Sequence, residues 1–96
     1  MKRKATAAQK RHLERVAALG CAVCKWCMGI DGTPAQVHHV RLHHGWGRSG
    51  HEATIPLCPE HHTGNTGVHS MGREEFKDMY GKSEIELLAI VHQELE

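Results

Sequence analysis

Hydrophobic positions along the chain fall into short blocks, each with its own period and most bounded by glycine. Leu13, Val16 and Ala17 share one helical face. Thr6 with Gln9 three residues on makes a capping box, and Gly20 suits a left-handed stop. The spacing predicts a helix over 7–19, with Lys10, Arg11 and Arg15 off the apolar stripe. Residues 21–27 (CAVCKWC) read as a tight turn and 29–34 as loop. Over 35–42 (AQVHHVRL), β-branched residues flank paired histidines and predict a strand. A glycine-rich loop over 43–50 follows. Thr54-Ile55-Pro56-Leu57 reads as a second short strand, in which Pro56 demands an edge or an end. Pro59 suits the first turn of a short helix over 59–63, interrupted by Gly64 and Gly67. A helix over 72–80 is closed by Gly81. Ser83 and Glu86 form a second capping box, opening a helix to about Leu95 with Ile85, Leu88 and Val91 or His92 inward. The order is α+β: helix, metal knuckle, two short strands, then helices. It makes one domain over 1–96, with 1–5 as a flexible basic arm.

Composition changes this picture in one respect. The 96 residues hold only four aromatics: Trp26, Trp46, Phe76 and Tyr80. A core with so few large side chains is marginal, so a metal, disulfides or a partner should help to hold it. No apolar run approaches the roughly 18 residues of a membrane span, and the basic start lacks the apolar stretch of a secretion signal. The expected setting is the cytoplasm, with no membrane partner. The anomaly is ten histidines accompanied by four cysteines.

The formal net charge of +1 hides an asymmetry. Residues 1–48 carry nine Lys or Arg against Glu14 and Asp31, a balance of +7; residues 49–96 carry three against nine acids, a balance of −6. Lys2, Arg3, Lys4, Lys10, Arg11 and Arg15 cluster in sequence and suit a phosphate backbone.

Reduced cytosolic thiols make a disulfide framework improbable. A Cys-x-x-Cys turn instead sets two thiolates on one side of a knuckle, as zinc requires, and Cys58-Pro-Glu-His61 repeats the spacing with a histidine donor. Cys21, Cys24, Cys58 and His61 would complete a closed structural Zn²⁺ site. Three upstream cysteines compete for two places, so Cys24 with Cys27 is the alternative pair. With that site filled, His62 is directed elsewhere. It can converge with His38 and His69 on a second metal, leaving His39 beside them as a base. Successive strand residues point to opposite faces, so His38 and His39 share one site only if the strand bends or ends there.

Three stretches carry a resemblance: Val37-His38-His39-Val40, Ile55-Pro56-Leu57-Cys58-Pro59-Glu60-His61-His62, and Cys21-x-x-Cys24 upstream. Together they resemble the HNH (ββα-metal) endonucleases. With Gly67-Val68-His69 and Gly72-Arg73 added, the pattern is similar to the RecA-dependent recombination-enhancement (Ref-like) nucleases of phages and prophages. The resemblance implies metal-dependent nicking or cleavage of DNA in a bacterial host cell, with a RecA filament as partner. It implies His39 as general base and His38, His62 and His69 as ligands of the catalytic metal. The chain departs from the HNH pattern at Ala53, where an asparagine is usual. His51 is the nearest polar substitute and takes a secondary role, orienting His39. Arg41 and Arg48 are candidates to brace the phosphate.

Three imidazoles without a carboxylate favour Zn²⁺, Ni²⁺, Co²⁺ or Mn²⁺, whereas Mg²⁺ would need water and phosphate to supply most of its ligands. The competing expectation is a zinc-stabilised nucleic-acid-binding module without catalysis. Such a module has no need of four histidines outside the cysteine site.

Overall fold

Both capping boxes form. In a computed structural model describing residues 6–41 and 52–96, Thr6 and Gln9 exchange backbone-to-side-chain hydrogen bonds of 2.8 and 3.1 Å and open α1, Ala7–Ala18. Ser83 and Glu86 do the same at 3.0 and 3.1 Å and open α5, Glu84–Leu95. Lys2, Arg3, Lys4, Arg48 and His51, the arm at 1–5 and the whole of the glycine-rich loop lie outside the described residues.

The turn expected over 21–27 is helical. Val23–Cys27 forms a π-type turn, in which Met28 N–H donates to the Val23 carbonyl at 3.1 Å. Cys21 N–H donates to the Thr33 carbonyl at 3.0 Å, so the knuckle is closed by the loop that follows it. Strand β1 is shorter than its pattern suggested, Gln36–His39, and pairs antiparallel with β2, Thr54–Leu57. The register sets Val37 opposite Pro56, His38 opposite Ile55 and His39 opposite Thr54. Among the described residues the sheet has two strands, so Pro56 stands on an edge strand, where a proline is accommodated.

Two short helices follow, α2 (Pro59–His62) and α3 (Val68–Met71), then α4 (Arg73–Tyr80), closed by left-handed Gly81 at φ +78°. The sequence pattern did not announce α3, because four residues are too few to display a helical period. Val16, Val23, Val40, Ile55, Leu57, Phe76, Leu87 and Val91 are fully buried between α1, the sheet, α4 and α5. The inward stripe of α5 is Glu84, Leu87, Leu88 and Val91. Ile85, expected inside, is 54% exposed, and His92 is also exposed. The stripe is rotated by one residue because a carboxylate occupies its first inward position.

The α2–α3 connection is sterically tight. A Cβ on Gly67 would come within 2.7 Å of the His62 carbonyl carbon and oxygen. Glu60 fastens the same loop, its Oε2 accepting from Thr66 N–H at 2.9 Å and from the Thr66 hydroxyl at 2.6 Å. Gly67→Ala is therefore expected to push α2 from α3 and to cost about 1–3 kcal/mol. A thermal melt reads this directly; an unchanged midpoint would mean that the loop yields freely.

Candidate metal centres and active site

Cys21, Cys24, Cys58 and His61, all buried, bring one donor atom each within 4.8 Å of one another. His61 Nδ1 lies 3.4, 3.6 and 3.2 Å from the sulfurs of Cys21, Cys24 and Cys58. The knuckle supplies the first pair, with Cys24 N–H directed at the Cys21 sulfur at 3.5 Å. The end of β2 and the first turn of α2 supply the second. Cys27 is only partly buried and stands outside this group. Burial pushes the Cys21 thiol up to about 12, and burial also lowers the pKa of His61, which favours its neutral ring. Tyr80 stacks edge-on against His61 with centroids 5.3 Å apart and donates its hydroxyl to the Thr66 carbonyl at 2.7 Å. Helix α4 is thereby tied to the cysteine cluster.

A second group forms on the other side of α2. Donor atoms of His38, His62 and His69 likewise fall within 4.8 Å of one another. His62 Nε2 and His69 Nε2 are 3.0 Å apart, while His62 Nδ1 meets the Gln36 carbonyl oxygen Oε1 at 2.8 Å. The His38 ring stands edge-on to both, with centroids 5.2 and 4.9 Å away. Burial, and then the neighbouring His38 and His69, lower the His62 pKa, which favours the neutral, ligand-competent ring.

His38 Nε2 meets Glu84 Oε1 at 2.6 Å, and Arg73 Nε donates to Glu84 Oε2 at 3.0 Å. Burial alone would raise the Glu84 pKa. The hydrogen bond and charge of His38, then Arg73, outweigh burial and hold the carboxyl below its usual range. Arg73 Nη2 also donates to the Arg41 carbonyl.

His38 and His39 both line two clefts of about 260 and 270 Å³, which also share Arg41 and His69. Both imidazoles reach these clefts although the two residues are successive in β1, opposite Ile55 and Thr54, and Val40 N–H carries the pairing on to the Ala53 carbonyl at 2.7 Å. Lys10 and Arg11 are exposed on α1, and Arg15 donates to the Leu95 carbonyl at 2.7 Å, at the far end of α5. None of these three lines either histidine cleft.

Residues 5–96 match the family described as recombination enhancement, RecA-dependent nuclease. The chain belongs to this family. No curated protein matches it. Membership makes the chain a nuclease of recombination enhancement, with a nucleic-acid substrate and a link to RecA. Among the described residues, two separate groups could hold metal ions.

Sequence reasoning missed Glu84, Arg73 and Gln36 as neighbours of the site. An acid after a helix cap ordinarily reads as a partner for the helix dipole, so nothing in the sequence distinguished Glu84. Gln36 left a usable signal, since a residue two before His38 on a strand shares its face.

Proposed function

We propose that the chain is an HNH-type, metal-dependent DNA endonuclease acting with a RecA filament in the bacterial cytoplasm. Cys21, Cys24, Cys58 and His61 hold a structural Zn²⁺, and His38, His62 and His69 hold a catalytic divalent ion. The observation that carries this reading is the convergence of three histidines beside His39, in a chain of a nuclease family. The first donor set fits zinc. Zn–S bonds of about 2.3 Å and Zn–N bonds of about 2.0–2.1 Å in a tetrahedron give N···S edges of about 3.6 Å. The three edges here are 3.2 to 3.6 Å. Nitrogens about 2.0–2.1 Å from a shared ion lie roughly 2.8–3.4 Å apart, from right-angled to tetrahedral arrangements, and the His62–His69 pair is at 3.0 Å.

An ion in the histidine group supplies Lewis-acid stabilisation of charge on the phosphate and on the departing oxygen. The chain's own residues do the rest. His39 takes a proton from the attacking water, a task suited to an imidazole near neutral pH. Arg41, in both clefts, braces a phosphate oxygen. Water adds at phosphorus and the 3′ oxygen leaves, giving 5′-phosphate and 3′-hydroxyl ends.

The test is supercoiled plasmid incubated with the protein, a RecA-coated homologous strand and Zn²⁺, Ni²⁺, Mn²⁺ or Mg²⁺ in turn. Nicked or linear product is expected with the wild-type chain and not with His62→Ala. Binding of DNA without cutting under every metal would replace this reading with that of a binding module.

A further inference from the structure

Glu84 has no part in the reading above, yet it is 6% exposed and hydrogen-bonded from two sides. We propose that Glu84, braced by Arg73, is a positioning residue that fixes the tautomer of His38, holding the ring proton on Nε2 and presenting Nδ1 to the ion. The inference rests on the histidine group being a metal site.

A carboxylate can only accept, so the ring nitrogen 2.6 Å from Oε1 carries the hydrogen. The other oxygen is taken by Arg73 Nε, whose guanidinium also bonds the Arg41 carbonyl beyond the end of β1. The carboxylate thus cannot turn away, and α4, α5 and the strand end together fix one ring. His62 is held in the opposite sense. Its Nδ1 donates to Gln36 Oε1 at 2.8 Å, leaving Nε2 toward His69. The two ligands present different nitrogens, each oriented by an oxygen acceptor on the far side of the ring. Partners of this kind are the usual supports of metal-bound imidazoles, and their loss typically weakens metal affinity by about 10–100-fold.

The test needs no DNA. With the cysteine-site ion retained, long-range ¹H–¹⁵N spectra of the wild-type protein should show the His38 proton on Nε2 and the His62 proton on Nδ1. A His38 proton on Nδ1 overturns the proposal. Titration with Co²⁺ should then show an affinity at the histidine group about 10–100-fold weaker in Glu84→Gln, with cysteine-site stoichiometry unchanged. Glu84→Asp, still ionised, should recover part of that loss. A packing role alone would rank the isosteric Gln above Asp, and that order also overturns the proposal. Uptake of no Co²⁺ by the wild-type histidine group would sink the metal-site reading and this inference together. Equal Co²⁺ affinity in wild type and Glu84→Gln would sink the positioning role alone.

Discussion

Stripping the ion from Cys21, Cys24, Cys58 and His61 is expected to unfold the chain. The four donors lie between the knuckle, the end of β2 and α2, so an ion held there would join segments 37 residues apart (58 − 21). A structural zinc of this kind contributes an apparent 10–16 kcal/mol in zinc-finger peptides. Whole domains are commonly stable by only about 5–15 kcal/mol. The aromatic core is too sparse to make up the difference, with Phe76 the largest fully buried side chain among the described residues. Without a cation the burial that pushes Cys21 to about 12 keeps its thiol protonated, and a protonated thiol is a poor partner for its neighbours. A strong chelator should therefore abolish the cooperative melt and most helical circular dichroism, and Cys58→Ala should do so without chelator. Cys27→Ala, outside the group, should leave the melt nearly unchanged. A chelated protein that kept a sharp transition and its helicity would remove the metal from the account of stability.

These results separate what the residue pattern discloses from what it hides. Local rules were sufficient wherever one side chain decides the outcome. Thr6 with Gln9 and Ser83 with Glu86 cap helices through short-range bonds, and Gly81 ends α4 with the positive φ expected of it. The spacings Cys21-x-x-Cys24 and Cys58-x-x-His61 also brought their four donors to one place. The reading failed where a contact from far along the chain sets the geometry. Glu84 turns inward only because His38, 46 residues earlier, and Arg73 receive its carboxylate. A hydrophobic periodicity cannot assign a charged residue to the buried stripe, so it rotated α5 and put Ile85 inside. The span of β1 is another tertiary outcome: its register with β2 begins at Gln36 rather than Ala35, and beyond His39 it is carried on by Val40 N–H, which donates to the Ala53 carbonyl at 2.7 Å.

Replacing His39 by alanine should separate catalysis from metal binding more sharply than any other single change. His38, His62 and His69 form the converging group, and His39 is not among them, so His39→Ala should leave the ion content of both sites and the thermal midpoint close to wild type. General-base assistance is worth about 10²–10⁴ in rate. A loss of that size is expected in plasmid cleavage at saturating metal and RecA-coated strand, with DNA affinity retained. His69→Ala should behave differently, lowering metal affinity first and recovering part of its activity when metal is raised, because on the proposed reading it loses a ligand. The contrast follows from the different burial of two successive residues of β1. His38 turns into the protein, 7% exposed and bonded to Glu84, while His39 stays half-buried along the same clefts. If His39→Ala cut plasmid at the wild-type rate, proton removal would belong to another group, and the pairing of a ligand with a base on adjacent residues would have no catalytic meaning here.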